Sequence, residues 1–421
     1  MNSSNYRGPF AAMGVLFFMI GFITCLNDIL VPHMKSVFDL SYTQAALIQF
    51  CFFTAYFVIA FPSSSLISRL GYQHSIIVGL GVSALGTALF YPASIQQSYP
   101  MFLFGLFTLA SGFALLQTAM NPYVAVLGPP QSSSARLVLS QAFNSVGTTI
   151  APMLGGVLIL GASVLTADQV AALPADQVAA YKDQQASAVQ IPYMVLTAML
   201  GLLAIVVAFL RLPKIDDVEG DEQRAVSLFA PLKVPHLFKG VWAIFAYVGA
   251  EVAIGSFMVN YFMEKVPGMT EQAATTYVTY YWGGAMVGRF VGSYLLTLMR
   301  PGLLLGTMAV VNVLLTSGAI VTSGPMSAMI LVGCGLLNSI MFATIFTLAI
   351  KDLGVMTNRG SSWLIAAILG GAVVPQVQGI IADSMGGLTM SYLIPVVCYV
   401  YIAYYGFVGS NVQQDARSAS A

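Results

Sequence analysis

Long apolar runs separated by short polar segments dominate the chain. Runs of about 20 apolar residues are long enough to cross the hydrocarbon core of a bilayer as a helix. We count twelve such runs and call them spans 1 to 12. They cover approximately residues 10–34, 43–68, 74–95, 100–127, 136–163, 189–211, 237–263, 271–298, 301–323, 326–351, 360–383 and 389–409. The pattern predicts an all-α integral membrane protein with twelve transmembrane helices.

A charged, proline-bearing segment near the middle of the chain divides the spans into two sets of six. We expect an N-terminal six-helix bundle at 1–211, a cytoplasmic central loop at 212–236 and a C-terminal six-helix bundle at 237–421. A short internal echo supports a repeat, since Ser68-Arg69-Leu70-Gly71 after span 2 is mirrored by Met299-Arg300-Pro301-Gly302 after span 8. Two pseudo-symmetric bundles of this kind are typical of secondary transporters, which bind substrate where the repeats meet.

The basic residues fix the direction of the spans. If both termini are cytoplasmic, twelve Lys and Arg residues lie inside, three lie outside and Arg289 falls within span 8. The inside set is Arg7, Arg69, Arg136, Arg211, Lys214, Arg224, Lys233, Lys239, Arg300, Lys351, Arg359 and Arg417, and the outside set is Lys35, Lys182 and Lys265. Because cytoplasmic loops carry the excess of Lys and Arg, this bias supports both the orientation and the even number of spans.

Composition excludes several classes of protein. The chain is 58% hydrophobic and only 8% charged, which is too little charge for the surface of a water-soluble domain. Lys plus Arg and Asp plus Glu number 16 each, so no nucleic-acid partner is indicated. There is no phosphate-binding Gly-rich loop, and the three histidines and four cysteines show no ligand spacing. We therefore predict that the protein is not an enzyme, has no catalytic residues and needs neither a cofactor nor a metal.

Three ionisable residues lie within the spans. A charged side chain in the hydrocarbon core is costly, so such a residue is taken to have a function. Asp28 in span 1 is a candidate for cation coupling, because a partly desolvated carboxyl suits proton transfer. Glu251 in span 7 and Arg289 in span 8 lie about 12 and 9 residues from the cytoplasmic ends of adjacent antiparallel spans. At about 1.5 Å per residue these depths differ by about one turn, so an ion pair is feasible. Such an ion pair has one of two roles. It holds the two helices together, or its carboxylate, Glu251, takes part in cation coupling.

Primary amides are concentrated in spans 4 and 5. Gln117 and Asn121 lie in span 4, and Gln141 and Asn144 lie three residues apart on one face of span 5. An amide offers two donors and a carbonyl acceptor, which matches the hydroxyls of a sugar. Hydrogen bonding between helices is the alternative role for these side chains.

The remaining candidates for the sugar site lie in both halves. Asn27 precedes Asp28 in span 1, and Asn338 lies in span 10 of the second half. Trp282 in span 8 is a candidate for stacking on a sugar ring, although Trp is also common at membrane interfaces. Helix breaks are expected at prolines within spans and at a glycine pair: Pro122, Pro152, Pro192, Pro375 and Gly370-Gly371.

Five segments together resemble a known family. They are Leu26-Asn27-Asp28-Ile29-Leu30-Val31-Pro32, Asn121-Pro122-Tyr123-Val124, Gln141-Ala142-Phe143-Asn144-Ser145-Val146-Gly147-Thr148, Tyr247-Val248-Gly249-Ala250-Glu251-Val252-Ala253-Ile254-Gly255-Ser256-Phe257 and Gly288-Arg289-Phe290. With these segments the chain resembles a major facilitator superfamily carrier of the fucose–galactose–glucose permease group. The resemblance covers essentially the whole chain and implies alternating access by two six-helix bundles around a midplane site.

The resemblance also implies roles for individual residues. Asp28 matches an aspartate that is important for proton coupling in the fucose permease, and Gln141 and Asn144 match positions that contact sugar. Gln117 departs from the fucose pattern, which has a glutamate there. A glutamine cannot cycle a proton, so either Asp28 couples alone or the driving ion differs. Gln117 and the long loop between spans 5 and 6 resemble the glucose/galactose branch more than the fucose branch.

The sequence therefore predicts a symporter that moves a hexose such as glucose or galactose with H⁺ or Na⁺. Symport of N-acetylglucosamine or fucose is an alternative, and export of sugars or drugs by the same fold is another. A membrane enzyme and a channel are disfavoured, because neither a catalytic cluster nor a filter-like repeat is present. We expect a functional monomer in the lipid bilayer of a bacterial cytoplasmic (inner) membrane, with both termini cytoplasmic.

Overall fold

A computed structural model describes residues 6–38, 42–158, 169–170, 172–210, 212–213 and 226–412. The described residues form helices and connecting turns. Numbered in chain order, the α-helices are α1 Arg7–Val37, α2 Tyr42–Ile95, α3 Tyr99–Val126, α4 Ser133–Leu158, α5 Ala175–Phe209, α6 Pro235–Lys265, α7 Glu271–Leu298, α8 Pro301–Val321, α9 Pro325–Asn338, α10 Met341–Ala349, α11 Thr357–Ala366, α12 Gly370–Met385 and α13 Leu393–Tyr404. A five-residue π-helix, Tyr405–Gly409, continues α13.

Helix α2 contains both span 2 and span 3. Its 54 residues would measure about 80 Å if the helix were continuous, far more than the ~30 Å hydrocarbon core. Gly71 interrupts it with φ +76° and ψ 174°. A side chain at this φ would be strained, whereas glycine adopts it freely and so ends one helix before the next begins. The predicted boundary between spans 2 and 3 therefore lies at Gly71.

Spans 10 and 11 are each interrupted near their middle. Helix α9 ends at Asn338 and α10 begins at Met341, while a 3₁₀ turn at Ala367–Leu369 separates α11 from α12. The sequence predicted the second interruption at Gly370-Gly371, directly after the turn. By contrast Pro122, Pro152, Pro192 and Pro375 lie inside α3, α4, α5 and α12.

The helices pack mainly with neighbours from their own half of the chain. In the first half α2 packs along α3 and α5, and α1 packs along α4. In the second half α7 packs along α9, α8 along α13 and α6 along α12. The halves meet chiefly where α4 contacts α7 and where α2 contacts α11. A site between the halves must therefore be lined by these helices.

Nine helical stretches within the described residues are long and apolar enough to cross a membrane. One of them, Phe50–Ile95, contains the break at Gly71. The stretch Pro325–Ala349 joins α9 to α10, and Gly354–Met385 joins α11 to α12. The fold is thus a bundle of membrane-spanning helices, and the number twelve remains a prediction.

Close packing of α1 on α4 gives a testable consequence. A Cβ added to Gly147 in α4 would overlap the Phe18 carbonyl oxygen in α1, so any side chain forces the two backbones apart. We expect Gly147→Val to destabilise the fold by at least about 1–3 kcal/mol, the usual cost of overpacking, and to lower the yield of folded protein. Gly201→Val is the matched control, because nothing lies within 4 Å of a Cβ at Gly201. Equal yields and melting temperatures for the two variants in detergent would contradict this packing.

Candidate transport site

The two amides of α4 have different surroundings. Asn144 donates from Nδ2 to the Phe17 carbonyl oxygen at 2.9 Å and so holds α4 against α1. Gln141 is partly buried, and no hydrogen bond of its side chain to a described residue is present. The two amides, which were predicted to share one sugar-facing role, therefore differ in their contacts. Asn144 is a contact between helices in this conformation, whereas Gln141 has its amide available.

The face of α4 that carries Gln141 points toward the second half of the chain. Ser145 lies one helical turn after Gln141, so both residues share that face. Arg289 of α7 donates from its Nη1 to the Ser145 hydroxyl, and the ring of Phe290 meets the ring of Phe143 edge-on at 6.4 Å. The α4–α7 contact thus places a cation of the second half beside the amide-bearing face of the first half.

Glu251 and Arg289 do not form the predicted ion pair in this conformation. The Glu251 carboxylate accepts a 2.8 Å hydrogen bond from the Tyr247 hydroxyl one turn earlier in α6, while Arg289 reaches across to Ser145. The sequence argument matched their depths in the membrane but contained no information on the helix faces. Arg289 faces α4 instead, and its Nε is buried without a partner among the described residues.

Gln117 contacts a residue that the sequence analysis did not single out. Its Nε2 donates to the Tyr56 hydroxyl of α2 at 3.3 Å, and the Tyr56 ring packs against Phe52 at 5.3 Å. Tyr56 lies within a run of aromatic and apolar residues, and its hydroxyl is the one polar group of its side chain. The sequence pattern therefore does not mark it as a site residue. The pair places an amide and a phenol next to each other on α3 and α2.

Asn338 is enclosed in the second half and does not face a binding cavity. Its amide oxygen accepts hydrogen bonds from Asn312 of α8 and Tyr399 of α13, and its amide nitrogen donates to Tyr281 of α7. Each of these bonds is 2.8 Å long. The prediction of a sugar contact at Asn338 is therefore not supported by this conformation. The residue instead joins three helices at the point where span 10 is interrupted.

Asn121 and Trp282 occupy opposite environments. Asn121 in α3 is 0% exposed, and neither its amide oxygen nor its amide nitrogen has a partner among the described residues. Trp282 in α7 is 46% exposed and lies beside Gly255 of α6, where a Cβ would be 3.4 Å from the indole ring. Trp282 is thus accessible for stacking, whereas Asn121 is sealed from any ligand in this conformation.

Asn27 and Asp28 lie in α1, but their side chains lie outside the described part of the structure. Their predicted roles in sugar binding and cation coupling therefore remain predictions. The helix that carries them packs along α4, the helix of Gln141 and Asn144.

The halves are joined at the end that the basic residues predict to be cytoplasmic. We call this set of contacts the inner seam. It consists of Tyr72 donating to Asn358, Arg359 donating to Ser64 and Ser65, the hydroxyl pair Ser134–Thr347, and the ring pair Phe61–Trp363. At the opposite end, hydrogen bonds such as those from Lys265 to the Ile320 carbonyl oxygen and from the Thr389 hydroxyl to the Glu264 carboxylate stay within one half. The structure is therefore closed at its inner end.

Gln141 and Asn144 lead to different expected results when each is replaced by alanine. Gln141→Ala should weaken sugar binding by roughly 5- to 20-fold, the effect of losing about one or two hydrogen bonds, and leave folded yield unchanged. Asn144→Ala should lower the melting temperature as well, because it removes the bond to Phe17. Sugar binding to the detergent-solubilised protein and thermal unfolding of the same samples separate the two effects. A Gln141→Ala variant with unaltered affinity would show that this amide does not contact sugar.

Taken together, these features define a polytopic helical membrane carrier with a polar interface between two halves. The model of the Major Facilitator Superfamily matches residues 11–375, and the chain belongs to this superfamily of transporters. It is 46% identical to a glucose/galactose transporter of Brucella abortus biovar 1 (strain 9-941), over 97% of this chain and 96% of the relative. It is 37% identical to the L-fucose-proton symporter of Escherichia coli (strain K12), over 95% of this chain and 92% of the relative.

A solved structure gives the same fold. The crystal structure of the transporter FucP in the outward conformation matches 95% of this chain and 98% of its own length, with a TM-score of 0.89 and 36% sequence identity. The chain therefore has the major facilitator fold, as its sequence predicted, and the protein is a transporter rather than an enzyme.

Proposed function

We propose that this protein is a symporter that carries a hexose, glucose or galactose, into the cell together with a proton. The observation that carries the proposal is the amide-bearing face of α4, where Gln141 and Ser145 look onto the second half beside Arg289. Hydroxyl-rich ligands need both donors and acceptors, and this face offers both. Relatives named glucose/galactose transporter and L-fucose-proton symporter, similar over nearly the whole chain, support a sugar as substrate.

The proton is the coupling ion that the relatives favour. The L-fucose-proton symporter supplies the precedent, and Asp28 is the carboxyl that we assign to coupling. Gln117 cannot exchange a proton, and its bond to Tyr56 fits a role in shaping the sugar site. Coupling through Asp28 alone follows, with Na⁺ as the ion to be tested against it. Fucose and N-acetylglucosamine are the competing substrates.

Transport follows from opening the inner seam while the outer ends of the halves close. Sugar and proton shift this equilibrium only by binding the two states with different affinity. The inner seam contains few bonds and several hydroxyls, so its opening exchanges protein hydrogen bonds for hydrogen bonds to water. We place the protein as a monomer in a bacterial cytoplasmic membrane with both termini inside, in agreement with the positive-inside bias.

Uptake into proteoliposomes tests the proposal. Labelled glucose, galactose, fucose and N-acetylglucosamine are offered separately under an imposed proton gradient or an imposed sodium gradient. We expect glucose or galactose to accumulate under the proton gradient, and a protonophore to abolish the accumulation. Accumulation under the sodium gradient alone would contradict the choice of ion. The absence of uptake for all four sugars, in vesicles shown to contain folded protein, would contradict sugar transport.

A further inference from the structure

A pocket of about 570 Å³ opens at the predicted cytoplasmic end of the second half, away from the α4–α7 interface. Three pieces of chain form it: the first turn of α8, the end of α10 with Lys351 beyond it, and the π-helix with the residues that follow. From the sequence, Arg300 and Lys351 are predicted only to be cytoplasmic, with no role in binding.

The charges that the described residues bring to this pocket are positive. Arg300 and Lys351 are the ionisable residues among the described lining, which includes no carboxylate. Neither basic side chain has a hydrogen bond or an ion pair to a described residue, although Asp352 follows Lys351 in the chain. Two cations that face one cavity and have no ion-pair partner among the described residues favour an anion there. The first-turn N–H groups of α8, at Gly302 and Leu303, lack helical acceptors and add donors on the same wall.

Backbone contact between two elements makes the pocket wall rigid. A Cβ added to Gly302 would lie 2.6 Å from the Gly406 carbonyl oxygen, so α8 and the π-helix touch through their backbones. The π-helix is itself an uncommon element that is often found at functional sites. The backbone N–H groups of Gly302 and Leu303 are therefore held in place before any ligand arrives, which lowers the entropic cost of binding.

The lower rim of the pocket is apolar. Leu303 is 49% exposed and Phe407 is 45% exposed, and both line the pocket. Because α8 begins at the predicted cytoplasmic end, we expect this rim to meet the acyl region of the cytoplasmic leaflet and the basic residues to lie at headgroup level. A free anion would leave the apolar rim in contact with water or bare lipid, whereas an anionic amphiphile satisfies both parts of the pocket.

We propose that the pocket binds the phosphate group of an acidic phospholipid of the inner leaflet, with the acyl chains against Leu303 and Phe407. Basic pockets between membrane helices on the cytoplasmic side are known to hold anionic headgroups. Arg300 contributes a planar fork of donors to the phosphate, and Lys351 contributes a point charge. The proposal concerns a lipid site that is separate from the sugar site and independent of the identity of the sugar.

Native mass spectrometry of the full chain in detergent tests this site. The purified protein is titrated with phosphatidylglycerol, with phosphatidylcholine of the same acyl chains, and with inorganic phosphate. We expect the protein to retain phosphatidylglycerol in preference to phosphatidylcholine, and Arg300→Gln with Lys351→Gln to weaken its binding roughly 10- to 30-fold. Arg300→Lys should keep part of the affinity, because the charge remains while the planar fork of donors is lost.

The control is Arg69→Gln with Lys233→Gln, which removes two exposed charges at the same end of the molecule but outside the pocket. Arg69 also holds the position that mirrors Arg300 in the repeated segment. If both double variants lose phosphatidylglycerol equally, the binding is general surface attraction and the proposal is wrong. Saturation of the site by inorganic phosphate at concentrations that displace the lipid would overturn the assignment to a lipid.

Discussion

Asp28→Asn is expected to abolish the accumulation of sugar while leaving exchange of sugar across the membrane intact. One proton moving down a potential of about 100 mV supplies about 2.3 kcal/mol, enough to concentrate sugar roughly 40- to 50-fold. An asparagine cannot bind and release that proton, so the expected accumulation ratio falls to about one. Exchange survives because the loaded carrier still reorients. Counterflow of labelled sugar in proteoliposomes measures exchange, and uptake under an imposed potential and pH gradient measures accumulation.

Two further variants make the role of Asp28 specific. Asp28→Glu keeps a carboxyl and should retain part of the accumulation. Asp383→Asn removes an exposed carboxylate at the same predicted outer end, in α12, and should behave as the unmodified protein. Full accumulation by Asp28→Asn would move the coupling role to another residue, with Glu251 as the next candidate because its carboxylate is bonded only to Tyr247 among the described residues.

Asn338→Leu is expected to have the largest effect on stability. The substitution removes three hydrogen bonds and leaves three buried groups, on Asn312, Tyr281 and Tyr399, without their partner. Each unpaired group costs about 1–3 kcal/mol in a dry interior and somewhat less inside membrane bundles, so a total loss of roughly 2–4 kcal/mol is expected. The melting temperature in detergent and the fraction of monodisperse protein report this loss.

Asn260→Leu is the matched control for Asn338. Asn260 lies in α6 of the same half, is exposed and has no side-chain bond to a described residue. The same substitution there should leave the melting temperature close to that of the unmodified protein. If Asn338→Leu is as stable as Asn260→Leu but fails to bind sugar, the residue contacts substrate in another conformation and its predicted role is restored.

The helical membrane class could be predicted from the sequence, because it depends on a pattern that is local in the chain, whereas the orientation stays a prediction. Lipid demands about 20 apolar residues for each crossing, and the basic residues mark the inner ends. The boundary between spans 2 and 3 was also predictable, because the segment 69–73 separates two apolar runs and contains Gly71. The break after Asn338 was not predictable, because it is stabilised by bonds to α7, α8 and α13 that no local pattern reveals.

The candidate site was predictable only in part, for a geometrical reason. Spacing places Gln141 and Asn144 on one face of α4, but it does not show what that face meets. Depth matching paired Glu251 with Arg289, although the rotation of α7 directs the guanidinium to Ser145. Hydrogen-bond partners such as Tyr56 and Tyr247 carry one hydroxyl each on an apolar ring, so the sequence pattern does not identify them as site residues. Side-chain direction across helices is set by tertiary packing, which a single sequence does not contain.

The most direct test of the central claim is whether sugar alone moves protons. Glucose or galactose is added to de-energised proteoliposomes in a lightly buffered medium, and the external pH is recorded with an electrode or a dye. Symport predicts an immediate rise in external pH that is absent from empty vesicles and abolished by a protonophore. Entry of labelled sugar into the same vesicles with no change in pH would contradict proton coupling and leave a uniporter or a sodium-driven carrier.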